Sequence, residues 1–298
     1  MTVDPVVATY RVGSTLARAL PAPVARGLAA AGGPMSGRIL RSRRRIVERN
    51  LRRVDPALSG RRLTAAVDAA FASYARYWAE SFRLPGMSPE RIDATFSYEG
   101  YGHVVDAREA GTGAIIALPH LGGWEWAAFW LAQIESVPVT AVVEPLEPPE
   151  LFEWFVDFRR SLGMNVVALG PTAGSEVLRA LRAGHVLCLL SDRDIVGGGV
   201  EVEFFGERTT LPAGPATLAF RTGAPILPTA IYFDGDGHRA VVRAPLPVER
   251  QGALRDDVAR VTQGVAHALE DLIRAAPEQW HLMSPNWPSD RELDAVRR

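Results

Sequence analysis

The spacing of apolar residues changes near residue 95 of this 298-residue chain. From about Val6 to Phe82, apolar positions recur at helical intervals, which predicts a series of amphipathic helices. From residue 97 onward, short apolar runs rich in β-branched residues alternate with longer amphipathic stretches. The pattern therefore predicts a helical N-terminal part, residues 1–95, followed by an α/β part, residues 96–298.

The second part repeats a strand-then-helix pattern. Four short apolar runs are typical of buried strands: GAIIALPH, VPVTAVVE, NVVALG and HVLCLLSD. The stretches between them predict three helices: GWEWAAFWLAQ, ELFEWFVDFRRSLGM and SEVLRALRAG. Later segments predict further strands (GVEVEFFG, APILPTAIYF and RAVVRAPLPV), a helix in GPATLAFRTG and a long final helix. We expect an α/β fold with a mainly parallel central sheet, helices on both faces and a helical N-terminal cover. No linker divides the chain, so residues 1–298 are predicted to form a single domain.

Charge and cysteine content narrow the classes of protein that the chain can belong to. The formal net charge is −1 and every basic residue is arginine, so the chain lacks the positive excess of a nucleic-acid-binding protein. The single cysteine, Cys188, lies in an apolar run and excludes an intrachain disulfide and a four-cysteine zinc site. No stretch of 18 uncharged apolar residues occurs in the sequence, so we expect no membrane span.

Two segments near the N-terminus suggest contact with a lipid surface. Arg11 and Arg18 interrupt an otherwise apolar stretch, which is typical of an amphipathic helix that packs on a domain or lies on a bilayer. The segment Arg38–Arg53 contains eight arginines and one acid, Glu48. It is either a solvated helix face or a patch for anionic lipid headgroups, to which each basic residue contributes roughly 1 kcal/mol.

Polar residues follow the ends of three predicted strands. His120 follows the first, Glu144 the second, and Asp192, Arg193 and Asp194 follow the third. Ligands of parallel sheets bind beyond the carboxyl ends of the strands, so these side chains are expected on one rim of the sheet. This convergence is the main indication of a functional site.

His120 suits the role of a general base. A neutral imidazole can take a proton from an alcohol when a carboxylate holds its other ring nitrogen. Two carboxylates are candidates: Glu125, which is close in sequence, and Asp192, which arrives on another strand end. Between His120 and Glu125 lies the turn Gly122–Gly123, where glycines let a substrate approach the backbone, and the helix that begins at Trp124 offers amides to a developing oxyanion.

The sequence lacks the motifs of several other enzyme classes. No G-x-S-x-G elbow, G-x-x-x-x-G-K-[ST] loop or G-x-G-x-x-G turn occurs, which disfavours serine hydrolysis, nucleotide hydrolysis and dinucleotide chemistry. A histidine and acids without such a nucleophile fit direct transfer of a group onto a substrate hydroxyl. Arg159, at the end of a predicted helix, is expected to pair with Glu144 or to hold a phosphate. Arg221 is a further phosphate candidate.

Four segments together resemble the lysophospholipid acyltransferase superfamily. They are ALPHLGGWEWA, VVEPLEPPELFEWFVDFRRSLGM, LLSDRDIVGGGVEVEFFGE and GPATLAFRTGAPILP. The branch is that of the late acyltransferases of lipid A synthesis, and within it the motifs are most similar to actinobacterial phosphatidylinositol mannoside acyltransferases. The likeness extends to YARYWAESFRLP and to the closing EQWHLMSPNW.

The resemblance implies a glycerolphosphate-acyltransferase-like fold and a long-chain acyl transfer. The donor would be acyl-CoA, a co-substrate, with no cofactor and no metal. The acceptor would be an anionic glycolipid at the cytoplasmic face of the plasma membrane, to which the protein binds peripherally. In the family's H-x4-D/E motif, His120 would be the base and Glu125 the acid. Asp192 takes the place of the acid that opens the "ERD"-type block, and Glu144 and Arg159 match a block linked to a substrate phosphate.

These expectations give one mechanism, and two alternative functions remain open. His120 removes the proton of a mannose hydroxyl, oriented by Asp192 and assisted by Glu125, and amides of residues 122–124 stabilise the oxyanion. Arg193 and Asp194 are expected to help bind substrate. One rival keeps the chemistry and changes the acceptor to another lysophospholipid or glycolipid. The other is a non-catalytic protein that binds lipid at a membrane surface.

Overall fold

The computed structural model of the chain describes residues 4–195 and 197–295. The described part contains twelve α-helices: α1 Pro5–Ala19, α2 Ala22–Ile39, α3 Arg41–Val54, α4 Gly60–Arg83, α5 Pro89–Ala94, α6 Gly102–Glu109, α7 Trp124–Gln133, α8 Pro149–Ser161, α9 Ala173–Arg182, α10 Gly214–Thr222, α11 Leu254–Arg274 and α12 Pro288–Ala295. It also contains nine strands: β1 Phe96–Glu99, β2 Ala114–Leu118, β3 Val139–Val143, β4 Asn165–Ala168, β5 Val186–Leu190, β6 Val200–Phe204, β7 Glu207–Leu211, β8 Ile226–Asp234 and β9 Gly237–Val242.

Seven strands form the central sheet, in the order β1-β9-β8-β2-β5-β3-β4. Every neighbouring pair runs parallel except β8 and β9, which form an antiparallel hairpin. The prediction of an α/β fold with a mainly parallel sheet is therefore confirmed. The buried strands in the middle of the sheet carry continuous apolar runs because both of their faces are covered.

Strand β2 shows how the two faces divide. Ile115 and Ala117 belong to a core formed with α9, α10 and α11 on one face of the sheet. Ala114, Ile116 and Leu118 belong to a second core formed with α6, α7 and α8 on the other face. All five side chains are buried, so β2 is fixed from both sides and its carboxyl end is held rigidly.

The sequence pattern did not predict two of the strands, β1 and β7. The alternating segment GVEVEFFG does form β6, but it pairs antiparallel with β7 in a separate two-stranded sheet. β7 has the sequence ERTTL and β1 the sequence FSYE, and neither contains an apolar run. β1 is an edge strand with mostly exposed side chains, so little hydrophobic burial marks its position.

Helices α1 to α5 lie within residues 5–94, ahead of the first strand. Aromatic side chains join these helices to the α/β part: Tyr10 of α1 and Trp78 of α4 both contact Phe155 of α8, with ring centroids 5.3 and 5.7 Å apart. Within the described residues, no helix combines the length and the apolar content needed to cross a bilayer.

Candidate functional site

His120 and Asp192 meet because their strands are in register. β2 and β5 pair in parallel with Leu118 opposite Leu190, so the residues two positions beyond each strand end are neighbours. His120 Nδ1 donates to Asp192 Oδ1 at 2.6 Å, and the His120 amide donates to Asp192 Oδ2 at 3.1 Å. Of the two carboxylates that the sequence offered, Asp192 is the one in contact with the imidazole.

Asp192 is wholly buried, with 0% of its surface exposed. Burial alone would raise the pKa of Asp192, but the charge of His120 and hydrogen bonds from His120 and Trp280 outweigh it and hold that pKa below its usual value. An ionised carboxylate only accepts hydrogen bonds, so Nδ1 of His120 carries the ring proton. In the neutral ring, Nε2 is then the nitrogen without a proton, in a side chain that is 26% exposed. This is the state that a general base requires.

Hydrogen bonds from the C-terminal segment, residues 280–286, hold His120 and Asp192 in position. Trp280 Nε1 donates to Asp192 Oδ2 at 2.8 Å, and the His281 amide donates to the His120 carbonyl at 2.7 Å. Asn286 Nδ2 donates to the Asp192 carbonyl at 3.1 Å. Sequence reasoning missed these supporting residues, although they lie in the closing segment EQWHLMSPNW, where two buried tryptophans and an asparagine stand close together.

Glu125 turns away from His120 and into a different network. It lies in the first turn of α7, is 2% exposed, and accepts hydrogen bonds from Tyr77 Oη at 2.7 Å and from Arg159 Nη2 at 3.3 Å. Burial raises the pKa of Glu125, and Arg159 and Tyr77 oppose that shift only in part. These contacts point the Glu125 carboxylate at α4 and α8, and the expectation that Glu125 assists His120 stays a prediction.

Of the two roles predicted for Arg159, pairing with Glu144 is not the one that the structure shows. Arg193 takes that acid instead, with Nη2 3.1 Å from Glu144 Oε2, and its Nη1 donates to Ser284 Oγ at 2.9 Å. Arg159, besides its contact with Glu125, lies over the Trp124 ring at 5.1 Å from the ring centroid. Each of these two arginines therefore has a carboxylate partner at the rim of the sheet.

The protein's own chain requires glycine in the turn Gly122–Gly123. Gly122 has φ +57°, and a Cβ there would lie 1.7 Å from the Ile231 carbonyl oxygen. The Gly122 amide donates to the Gln279 carbonyl, and the Gly123 amide donates to the Ile231 carbonyl. Two of the three amides expected to bind an oxyanion are thus already occupied. The Trp124 amide, in the first turn of α7, is the remaining candidate.

The two other predicted binding residues have different positions. Asp194 accepts hydrogen bonds from the amides of Gly197 and Gly199 at 3.0 and 2.8 Å, so it shapes the loop after β5. Arg221 is exposed in the last turn of α10 and lines neither cavity described below. The structure therefore does not bring Arg221 to the site.

Two cavities meet at His120. Cavity A, of about 440 Å³, and cavity B, of about 450 Å³, share His120, Tyr77, Trp124, Arg159 and Arg193 in their walls. Cavity A is also lined by aromatic side chains and by residues of α1, α3 and the C-terminal segment. Cavity B is also lined by Glu144, Asp194 and the glycine loop 197–199. His120 thus lies where two bound molecules can approach each other.

The arrangement has the parts that general-base chemistry needs. A buried carboxylate orients a partly exposed imidazole, as in other sites that activate a hydroxyl group. Within residues 4–195 and 197–295, no three His, Cys, Asp or Glu side chains are grouped closely enough to hold a metal ion.

The chain belongs to the bacterial lipid A biosynthesis acyltransferase family, whose profile matches residues 6–289. It is similar to the phosphatidylinositol mannoside acyltransferase of Mycolicibacterium smegmatis, with 38% identity over 284 residues that cover 94% of this chain and 91% of the relative. It is also similar to the proteins of that name from two strains of Mycobacterium tuberculosis, with 41% identity over 227 residues, 74% of this chain and 70% of each relative. The resemblance inferred from the motifs is confirmed, and the chain is assigned to the acyltransferases.

Proposed function

We propose that the protein transfers a long-chain acyl group from acyl-CoA to a mannose hydroxyl of a phosphatidylinositol mannoside. The observation that carries this proposal is the His120–Asp192 pair at the junction of two cavities, in a chain of an acyltransferase family. The relatives named phosphatidylinositol mannoside acyltransferase, which match most of the chain, support the choice of acceptor. The central sheet and its flanking helices agree with a glycerolphosphate-acyltransferase-like fold.

The reaction needs one proton transfer in each direction. Nε2 of His120 takes the proton of the mannose hydroxyl, and the resulting oxygen nucleophile attacks the thioester carbonyl. The carbon–sulfur bond then breaks, and the CoA thiolate takes the proton back from the imidazolium, so that the histidine is regenerated. Asp192 acts through His120: it fixes the tautomer and stabilises the imidazolium while that charge exists.

The tetrahedral intermediate carries a negative charge on the former carbonyl oxygen. The Trp124 amide, at the N-terminus of α7, suits this charge because it points out of a helix end and has no intrahelical acceptor. Trp124 is also common to the walls of both cavities. We assign this single amide to the role that the sequence had given to residues 122–124.

An apolar cavity beside the site supports a long acyl chain. It measures about 40 Å³, and its walls include Trp124, Trp130 and Cys188. Trp124 also borders cavities A and B, so the apolar cavity shares a wall residue with both. We propose that widening of this space accommodates the hydrocarbon tail.

The proposed location is the cytoplasmic face of the plasma membrane, with peripheral attachment. Large apolar side chains of α1 and α2 are exposed, among them Val12, Leu16, Leu28, Met35 and Ile39. Contiguous exposed apolar side chains on helices that also carry arginine are typical of attachment to a bilayer surface.

The test measures release of CoA with a thiol-reactive dye, using purified protein, palmitoyl-CoA and detergent-dispersed phosphatidylinositol mannoside. His120→Ala is expected to abolish transfer, because no other group takes the hydroxyl proton, and His267→Ala is the matched control. His267 is exposed on α11 and contacts Gln263, away from both cavities. Near-normal transfer by His120→Ala would overturn the mechanism.

The same assay separates the acceptors. A panel of mannosides, lysophospholipids and other glycolipids is offered to the wild-type protein, and the acylated product is identified by mass spectrometry. Preferential acylation of a lysophospholipid would replace the proposed acceptor. Binding to anionic vesicles with no transfer to any acceptor would favour a lipid-binding protein instead.

A further inference from the structure

The arginine-rich segment Arg38–Arg53 is divided between structural and unpaired side chains. Arg44 pairs with Asp68 at 2.7 Å, and Arg38 approaches the same carboxylate at 3.8 Å. Arg49 and Arg53 both pair with the buried Asp290, at 2.8 and 2.9 Å. Half of the eight arginines thus have carboxylate partners, Arg38 on α2 and the other three on α3, and fewer of them are free than the composition of the segment suggests.

Arg43 has a different environment. It is exposed on α3, no carboxylate of the described residues lies within ion-pair distance of it, and it lines cavity A together with His120. Its charge also reaches Tyr10, another side chain in the wall of cavity A. Burial and Tyr74 raise the pKa of Tyr10, and Arg43 acts in the opposite direction. The guanidinium is therefore oriented toward the cavity that contains the base.

The electrostatics of cavity A favour an anion. Among the described residues of its wall, three are arginines, namely Arg43, Arg159 and Arg193, and none is an aspartate or a glutamate. Arg159 and Arg193 are compensated by Glu125 and Glu144. The positive charge of Arg43 has no such compensation, and cavity walls of low polarisability strengthen its attraction for a negative group.

The position of Arg43 matches the depth of a lipid headgroup. The exposed apolar residues of α2 end with Ile39, which is 74% exposed, and Leu40 follows it. Arg41 is the next residue, at the start of α3, and Arg43 comes two positions after it. A helix pair that places apolar side chains among lipid tails puts the following basic residues at the level of the phosphates.

We propose that Arg43 binds the phosphodiester of the acceptor lipid at the mouth of cavity A and thereby selects anionic glycolipids as acceptors. The proposal rests on the proposed function and assigns cavity A to the acceptor, which leaves cavity B to the donor. Arginine suits this role because its planar fork of donors matches two phosphate oxygens. The phosphates of CoA offer the same chemistry, so the test has to distinguish the two sources.

The kinetic test compares Arg43→Ala and Arg43→Lys with Arg62→Ala, an exposed arginine at the start of α4 that lines neither cavity. Acceptors are a detergent-dispersed phosphatidylinositol mannoside and an alkyl mannoside without phosphate. For Arg43→Ala we expect KM for the phosphate-containing acceptor to rise about tenfold, as for loss of one charge-assisted contact. We expect kcat, KM for the alkyl mannoside and KM for palmitoyl-CoA to stay within about twofold of wild type, and Arg43→Lys to fall between.

Two kinetic results would overturn the proposal. An equal rise in KM for the alkyl mannoside would show that Arg43 acts on something other than phosphate. A rise in KM for palmitoyl-CoA in place of the acceptor would assign Arg43 to the donor.

A binding measurement keeps the proposal independent of turnover. Dihexanoyl phosphatidylinositol is titrated into each variant, and the fluorescence of Trp78 and Trp124, which line cavity A, reports binding. Arg43→Ala is expected to weaken the Kd about tenfold relative to Arg62→Ala, and equal Kd values would refute the site. If the wild type binds this lipid through Arg43 but acylates no mannoside, the proposed function fails and the phosphate site stands.

Discussion

Replacing Asp192 by asparagine tests the chemical core of the site with minimal change of shape. The amide keeps an oxygen for Trp280 Nε1 and for the His120 amide, so the packing around the wholly buried side chain is preserved. What is lost is the negative charge at 2.6 Å from His120 Nδ1. The asparagine Nδ2 can also donate to Nδ1, which would move the ring proton to Nε2 and occupy the nitrogen that acts as base.

The size of the effect follows from electrostatics. With the centres of the two charges about 4 Å apart and an effective dielectric constant of about 20, an imidazolium gains about 4 kcal/mol from the carboxylate. That charge exists only after the proton has been taken, so its loss appears in the barrier, as a fall in kcat of about a thousandfold. KM for both substrates should change by no more than about twofold, because Asp192 lines neither cavity.

Steady-state CoA release measures both constants, and circular dichroism confirms folding. Asp257→Asn is the control, since it also neutralises a buried aspartate but in the first turn of α11, where Asp257 contacts the amides of residues 251 and 252. It should leave kcat within about twofold of wild type. A folded Asp192→Asn protein with kcat within tenfold of wild type would refute the reasoning, because the carboxylate would then not be needed by the base.

Three further changes test the surroundings of the site. Glu125→Gln removes the charge opposite Arg159, so denaturant titration should show a loss of about 3 kcal/mol in unfolding free energy, with kcat reduced less than tenfold. A fall in kcat as large as that of Asp192→Asn would restore Glu125 as the partner of the base. Trp280→Phe removes one hydrogen bond to Asp192 that contributes about 1.5 kcal/mol, so kcat should fall about tenfold with KM unchanged, and an unaltered kcat would limit Trp280 to packing. Burial lowers the pKa of His281 from 6.5 to about 3, so only the unfolded chain takes up this proton and unfolding free energy is lost as the pH falls through that range, by about 2 kcal/mol between pH 6.5 and 4.5. His281→Gln should flatten this dependence, and the same slope in both proteins would contradict the assignment.

The parts of the fold that the sequence predicted are those with continuous burial. β2, β3 and β5 appear as apolar runs because helices cover both of their faces, and the helices between them have apolar residues at helical spacing. In β4, an edge strand, Val167 is buried, and the short run NVVA was still predicted. β1 and β7 were missed because FSYE and ERTTL bury few apolar side chains, so their pairing depends on the strands beside them. The hydrophobic pattern of a sequence reveals strands that are buried. It does not reveal strands such as β1 and β7, which form because they pair with a neighbouring strand.

The site also has a part that the sequence predicted and a part that it did not. His120 and Asp192 were predictable as neighbours, because each stands two positions beyond a buried strand and parallel neighbours end at one edge. The direction of Glu125 was not predictable, since it depends on the rotation of α7 about its axis and on Tyr77, 48 positions away. The role of Trp280 was equally hidden, because the contact with Asp192 spans 88 positions and comes from a segment without regular structure.

The His120–Asp192 pair serves proton transfer, whereas the walls of the two cavities serve substrate selection. Asp192 accepts three hydrogen bonds, from two atoms of His120 and from Trp280, and backbone contacts from the C-terminal segment fix the chain on either side. The base is thus oriented during folding and needs no reorganisation when substrate arrives, which is the condition for efficient proton transfer. Such a pair does not distinguish one alcohol from another. Selection among acceptors therefore has to come from the cavity walls, and the charge of Arg43 in cavity A is the part of those walls that discriminates an anionic lipid from a neutral one.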